Sequence, residues 1–224
     1  ELIQAIILAF GGPVLVPTPS FAMYEITARA LSQKTVTVPL TNEFDLDANA
    51  IIKEAKRTKV KVIFLACPNN PTGNRFSDAA VRKVLENVDA AVVIDEAYFS
   101  FSGRTFLPFL KRHRNMIILR TLSKIGLAGL RVGVLTASKE ITAELNKIRL
   151  PYNINTLSQA AGQVVPQQLR GMDGSPTPYV ACTGDGAVIL VDAGTERPLE
   201  HPGLDPFWGA FGRWAEVAGI EDAS

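Results

Sequence analysis

Three short apolar runs constrain the fold of this chain more than any other feature of its sequence. They occupy residues 61–66, 91–94 and 116–119, and almost every position in them holds an apolar side chain. Continuous apolar runs of this length are typical of parallel strands that helices cover on both faces. The runs therefore predict a buried, mostly parallel sheet.

Helical patterns lie between and beside these runs. Ser77 or Asp78 can cap a helix between the first two runs, and Asp47 and Ser138 can cap two further helices. The apolar residues of the first of these helices repeat at helical spacing on one side: Val81, Val84, Leu85 and Val88. Strands that alternate with helices predict an α/β domain, in which helices sandwich a mostly parallel sheet.

The composition predicts a chain that folds in water. Of its 224 residues, 47% are hydrophobic and 20% are charged, which excludes both a disordered tail and an integral membrane protein. No run approaches the roughly 20 apolar residues of a membrane helix, and the first residues lack the basic region of a signal peptide. A formal net charge of +1 gives no indication of nucleic-acid or membrane binding. We therefore expect a cytoplasmic protein without either partner.

The cysteines and histidines form no recognisable metal or redox motif. Cys67 and Cys182 lie far apart in the sequence, which suits a reducing compartment where both remain thiols. His113 and His201 are isolated from each other and from further ligand types, so we expect no metal site.

The chain changes character near residue 166. Residues 166–224 hold three basic and nine acidic side chains, no lysine and both tryptophans. We expect an α/β domain over residues 1–165 and a divergent α+β tail of unknown fold over residues 166–224. A β-hairpin over residues 179–191 and a short helix near residues 205–217 are predicted in that tail.

Polar clusters follow each of the three apolar runs. They occupy residues 67–73, 95–98 and 120–124. Open parallel sheets bind ligands beyond the carboxyl ends of their strands, so folding should gather these clusters along one edge.

The gathered side chains match the needs of pyridoxal phosphate chemistry. Lys124 can form a Schiff base with the cofactor's aldehyde, and Asp95 can keep the pyridine nitrogen protonated. Asn70 and Tyr98 can hydrogen-bond the phenolic oxygen of the ring.

The remaining parts of that cofactor also find candidate partners. Hydroxyl groups of Thr121 and Ser123 and the guanidinium of Arg131 can bind its phosphate, the last through a forked pair of hydrogen bonds. The ring of Phe21 can stack on its face.

With these motifs in order, the sequence resembles the histidinol-phosphate aminotransferases, within the fold-type I, class-II aminotransferases that depend on pyridoxal phosphate. Five stretches carry the resemblance: residues 19–24, 68–73, 95–98, 121–133 and 149–155. The resemblance covers residues 1–165, and it implies that they form part of a large cofactor-binding domain.

The resemblance implies an activity as well as a cofactor. Lys124 would serve as the catalytic Schiff-base lysine and proton carrier in transamination between histidinol phosphate and 2-oxoglutarate, with imidazole-acetol phosphate and glutamate as the products. The same cofactor roles are implied for Phe21, Asn70, Asp95 and Tyr98, and phosphate binding for Thr121, Ser123 and Arg131. A homodimer is also implied.

The sequence departs from the family pattern at both ends. Glu1 looks like the last residue of a Gly-Ser/Ala-Asp-Glu motif that opens a helix beneath the phosphate, and the family's N-terminal arm and its C-terminal domain are not recognisable. Three alternatives therefore stay open. They are a catalytically silent remnant that at most binds the cofactor or a partner subunit, a threonine-phosphate decarboxylase, and an aromatic aminotransferase.

Overall fold

A computed structural model of the chain describes residues 1–149, residues 155–158 and the backbone of residues 190–192. The strands are β1 Val14–Thr18, β2 Thr35–Pro39, β3 Val62–Ala66, β4 Ala91–Asp95, β5 Met116–Thr121, β6 Gly133–Ala137 and β7 Leu190–Asp192. The helices are α1 Leu2–Phe10, α2 Met23–Ala30, α3 Ala48–Thr58, α4 Asp78–Asn87, α5 Phe99–Ser102 and α6 Lys139–Ile148. Three 3-10 turns occupy Leu107–Phe109, Leu122–Ile125 and Ala128–Leu130.

These strands form one sheet in the order β2-β1-β3-β4-β5-β6-β7. Every neighbouring pair is parallel except β5 and β6, which run antiparallel with Thr121 opposite Gly133. The three apolar runs are β3, β4 and β5. The predicted α/β fold with a mostly parallel sheet is therefore confirmed.

Two of the three predicted helix caps make the expected hydrogen bond. The carboxylate of Asp47 accepts from the Ala50 amide at 2.9 Å, and the hydroxyl of Ser77 accepts from the Ala80 amide at 3.3 Å. The cap of α4 is thus Ser77 rather than Asp78. Ser138 occupies the predicted N-cap position of α6, but its side chain makes no capping hydrogen bond.

Side chains from the helices cover both faces of the sheet. On one face, which we call the α1 face, helices α1, α2 and α6 contribute buried residues such as Ile6, Tyr24 and Leu145. On the other, the α3 face, helices α3 and α4 contribute Ile51 and Val81. The two layers bury strands β3 to β5 from both sides, as their apolar runs predicted.

The polar residues at the end of β4 point to opposite faces of the sheet. Val93 packs on the α1 face and Ile94 on the α3 face. Because successive side chains of a strand point to opposite faces, Asp95 continues the α1 face and Glu96 the α3 face. These two neighbouring carboxylates therefore have different surroundings.

Part of the expected tail lies outside the described residues. Leu190–Asp192 form a strand beside β6, while the first strand of the expected hairpin and the expected helix fall outside. The boundary between residues 165 and 166 stays a prediction. None of the helices in residues 1–149 and 155–158 is long and apolar enough to cross a bilayer.

Candidate functional site

A cavity of about 100 Å³ opens at the carboxyl ends of β3 and β4. Its wall is formed by Phe21, Tyr24, Ala66, Pro68, Asn70, Asp95, Ala97, Tyr98 and Lys124. Five of the eight residues predicted for the site are in this wall. The polar clusters that are distant in sequence therefore meet at the sheet edge, as the parallel topology requires.

Asp95 is held by two hydrogen bonds at the floor of this cavity. Its Oδ2 accepts from the Tyr24 hydroxyl at 2.7 Å, and its Oδ1 accepts from the Ala97 amide at 3.0 Å. Burial raises the pKa of Asp95 above its ordinary value, and the two hydrogen bonds act in the opposite direction. A carboxylate in such a poorly solvated place gains stability when a cation binds beside it.

Tyr24 is a member of the site to which the sequence interpretation gave no role. It is fully buried, and its ring stacks on Phe64 with a centroid distance of 4.7 Å. Burial, and then the charge of Asp95, raise the pKa of Tyr24 well above its ordinary value, so the hydroxyl stays protonated and donates. The sequence did offer one signal for this role, which is a tyrosine on the buried side of α2. A buried tyrosine usually has a hydrogen-bond partner for its hydroxyl.

Lys124 approaches the cavity from the turn that follows β5. That turn spans Leu122–Ile125 and ends at Gly126, whose φ of 91° lies in the left-handed region that glycine adopts without steric cost. The Lys124 amine lies 5.1 Å from the centroid of the Tyr98 ring. A primary amine and a phenol thus stand on the same side of the cavity.

Asn70 and Phe21 lie in two loops that are joined by hydrogen bonds of Asn69. Asn69 is 2% exposed; its Oδ1 accepts from the Ser20 hydroxyl at 3.1 Å, and its Nδ2 donates to the Pro19 carbonyl at 3.0 Å. The sequence interpretation assigned no role to Asn69. Since these bonds join the loop after β1 to the loop after β3, they hold Phe21 and Asn70 beside the same cavity.

The three residues predicted to bind phosphate lie outside the cavity wall. Thr121 Oγ1 is 3.0 Å from Ser123 Oγ and accepts from the Ser123 amide at 3.1 Å, so both hydroxyls belong to the turn that carries Lys124. Arg131 is exposed and follows the turn Ala128–Leu130, with a positive φ of 53°. Their joint role in phosphate binding stays a prediction.

No group of three or more His, Cys, Asp or Glu side chains is arranged to hold a metal ion in the part of the chain that the structure describes. What the cavity does offer is a half-buried carboxylate and an amine, together with a phenol, a carboxamide and an aromatic ring. This set can bind a planar ring with a cationic nitrogen. It can also present an amine to an electrophilic carbon at the edge of that ring.

Comparison with known proteins agrees with this chemistry. Residues 1–170 match the model of the family described as aminotransferase class I and II. Histidinol-phosphate aminotransferase 2 of Nitrosococcus oceani is 43% identical over 176 residues, which are 77% of this chain and 49% of that protein. The chain spans about half the length of the curated relatives it matches.

Solved structures show the same likeness. The histidinol-phosphate aminotransferase of Clostridium acetobutylicum superposes with a TM-score of 0.64 at 28% identity, over 70% of this chain and 48% of that one. The L-threonine-O-3-phosphate decarboxylase of Porphyromonas gingivalis gives 0.58 at 27% identity, over 70% and 50%. The family that the five motifs predicted is therefore confirmed, and this chain belongs to the class I and II aminotransferases.

Proposed function

We propose that this chain binds pyridoxal phosphate between Asp95 and Lys124 and that it belongs to an enzyme which transaminates histidinol phosphate. The observation that carries the proposal is the cavity into which β4 brings a half-buried carboxylate and the turn after β5 brings an amine. Neither group alone indicates a function. Their meeting at one sheet edge, in this family, supports cofactor-dependent amino transfer.

The residues of the cavity fit this cofactor. Burial has raised the pKa of Asp95, which means that the ionised carboxylate lacks solvation in the protein alone. A protonated pyridine nitrogen would supply the missing positive charge. The Tyr98 hydroxyl and the Asn70 carboxamide are hydrogen-bond donors that suit a phenolic oxygen, and Phe21, 37% exposed, can cover the ring.

Each side chain then has a separate task. Bound pyridoxal phosphate would supply an electron-accepting ring. Asp95 keeps a negative charge against the ring nitrogen, while Lys124 provides the amine that holds the cofactor and afterwards moves a proton to or from the substrate carbon. General acid-base transfer of this kind gives rate factors of about 100 to 10,000. Thr121, Ser123 and Arg131 would bind the phosphate.

The substrate proposal depends on the relatives. Several of the curated relatives are named as histidinol-phosphate aminotransferases, which supports histidinol phosphate and 2-oxoglutarate as the amino donor and acceptor. The family resemblance also supports a homodimer, with the cytoplasm as its location. The likeness to an L-threonine-O-3-phosphate decarboxylase keeps decarboxylation as a second candidate activity.

A substrate panel tests the proposal. The purified chain and its Lys124→Ala variant are loaded with pyridoxal phosphate and offered histidinol phosphate, phenylalanine or threonine phosphate, with 2-oxoglutarate as acceptor. We expect Lys124-dependent glutamate formation with histidinol phosphate. Carbon dioxide release from threonine phosphate would favour the decarboxylase, glutamate formed with phenylalanine alone would favour the aromatic aminotransferase, and cofactor binding without any turnover would favour the silent remnant.

A further inference from the structure

A buried ion pair joins the two strand ends that carry the candidate site. Nη2 of Arg120 lies 2.9 Å from Oε2 of Glu96, and Nε of Arg120 donates to the same oxygen at 3.0 Å. The side chains of Arg120 and Glu96 are 3% and 0% exposed. The pair follows directly after Asp95 on one strand and directly precedes Thr121 on the next.

The surrounding residues complete the hydrogen bonding of this pair. The Thr105 hydroxyl lies 3.0 and 2.9 Å from the two carboxylate oxygens of Glu96, and the Phe106 amide donates to Oε1 at 2.6 Å. Nη2 of Arg120 donates to Thr105 at 2.8 Å, and its guanidinium lies 4.0 Å from the centroid of the Phe99 ring. The network therefore connects β4, β5 and the segment between them.

Stability alone is a weak explanation for such a pair. Removing two charges from water costs several kcal/mol per ion, and uncharged replacements of similar volume are often equally stable. What a buried pair with fixed hydrogen bonds does provide is one defined geometry. The question is which neighbouring groups that geometry controls.

The pair lies on the opposite side of the sheet from the cavity. Glu96 and Arg120 point to the α3 face, whereas Asp95 and Thr121 point to the α1 face, because side chains alternate along each strand. The amide of Glu96 still donates to the Leu119 carbonyl at 2.7 Å. Beyond that bond the two strands end. The chain continues from β4 into the segment that carries Tyr98, and from β5 into the turn that carries Lys124.

We propose that Glu96 and Arg120 are positioning residues that fix the spacing between Asp95 and the turn of Lys124 from the opposite face of the sheet. The inference rests on the proposed cofactor site. Without the pair, the two strand ends keep their backbone hydrogen bonds only as far as Glu96. The carboxylate and the amine would then no longer be held at the separation that one cofactor molecule requires.

The double variant Glu96→Gln with Arg120→Met tests this proposal. It removes both charges but keeps the volume, and the side-chain carbonyl of the introduced glutamine can still accept from the Phe106 amide. We expect its melting temperature to stay within a few degrees of wild type. We also expect its affinity for pyridoxal phosphate to fall about tenfold or more, which corresponds to about 1.4 kcal/mol, and the absorption band of the bound cofactor to shift.

Two further variants make the result decisive. Arg120→Lys keeps the positive charge but loses the forked hydrogen bonds and the stacking on Phe99, so it should also weaken cofactor binding. Val84→Ala removes buried volume from α4, on the same face but outside the network, and should lower the melting temperature without changing the affinity.

Each outcome has one meaning. A folded double variant with wild-type affinity and an unshifted band would overturn the inference, and so would wild-type affinity in Arg120→Lys if the double variant does not fold. A wild-type chain that binds no pyridoxal phosphate would instead refute the proposed function, and the inference would fall with it.

Discussion

The hydroxyl of Tyr24 donates a 2.7 Å hydrogen bond to Oδ2 of Asp95, which connects helix α2 to the end of strand β4. The ring of Tyr24 is stacked on Phe64 and meets the edge of Phe21 at a centroid distance of 5.4 Å. The hydroxyl is thus held in place by aromatic packing. Its bond favours the ionised form of Asp95, which is the form that pairs with a cation.

Removing this hydroxyl should shift the titration of Asp95. In Tyr24→Phe the ring packing remains, but the carboxylate loses a hydrogen bond of the charged type, which is worth about 1.5 to 3 kcal/mol. We expect the pKa of Asp95 to rise further and the affinity for pyridoxal phosphate to fall about tenfold or more. Carbon-13 NMR titration of the cofactor-free chain, with Asp95→Asn to identify the signal, measures the first effect.

Tyr98→Phe is the matched control for that experiment. It removes another cavity hydroxyl, from a ring 5.1 Å from the Lys124 amine, whereas the hydrogen bonds to Asp95 come from Tyr24 and Ala97. The Asp95 signal should titrate as in wild type. An Asp95 titration that is unchanged in Tyr24→Phe, or shifted equally in both variants, would contradict the role of Tyr24.

The stability of the cofactor-free chain should depend on pH through Asp95. Burial raises its folded-state pKa above the unfolded value of about 3.9. The ionised carboxylate therefore costs folding free energy above the folded-state pKa, and this cost disappears as the pH falls below the unfolded value. Asp95→Asn should be more stable than wild type at pH 7, and the difference should vanish in acid.

Thermal unfolding of both proteins from pH 7 to pH 3.5 checks this prediction. Tyr24, Tyr98 and Lys124 are the other titratable groups in the cavity wall, and Glu96 acts on Asp95 from the opposite face of the sheet. Comparison of the two proteins at each pH isolates the effect of Asp95. The variant should nevertheless bind pyridoxal phosphate at least about tenfold more weakly. An Asn variant that is less stable than wild type at pH 7 would show that the carboxylate is not under-solvated.

Cys67 should resist alkylation in the folded chain. Burial raises the pKa of its thiol to about 12, so at pH 8 only about one molecule in 10,000 carries the reactive thiolate. Iodoacetamide treatment at pH 8 followed by peptide mass spectrometry should find Cys67 unmodified in the native chain and modified in denaturant. Rapid native modification of Cys67 would contradict the buried position assigned to it.

The two helix starts at Asp47 and Ser138 should respond differently to alanine. Asp47 accepts a capping bond at 2.9 Å, whereas the Ser138 side chain makes none. Asp47→Ala should therefore lower the free energy of unfolding by about 1 kcal/mol, and Ser138→Ala should change it much less. Urea denaturation of the two variants measures both values, and equal losses would contradict the difference in capping.

Features that depend on local sequence were predictable. The apolar runs that became β3, β4 and β5 are long enough to identify buried strands, and parallel strands necessarily bring their carboxyl ends to one edge. Asp95 and Lys124 could therefore be assigned to a common site before any geometry was known. The five motifs allowed the family to be predicted for the same reason, because each motif is a continuous stretch of the sequence.

Features that depend on distant packing were not predictable. Tyr24 and Asp95 are separated by 71 positions, and their bond depends on how α2 lies against the sheet. The pairing of Glu96 with Arg120 needed the knowledge that β4 and β5 are neighbours. Ser138 has the right residue type for a cap, but the direction of its hydroxyl is decided by surroundings that sequence patterns do not specify.

The location of the cofactor-binding lysine tests the central claim most directly. The chain is incubated with pyridoxal phosphate, reduced with borohydride and digested, and mass spectrometry locates the pyridoxyl group, with Lys124→Ala and Lys139→Ala treated in parallel. Lys139 begins α6 and is exposed, so it serves as the control lysine. We predict a single major adduct on Lys124 that disappears only in Lys124→Ala. An adduct that is absent from wild type, or that persists in Lys124→Ala at the wild-type level, would contradict the proposed site.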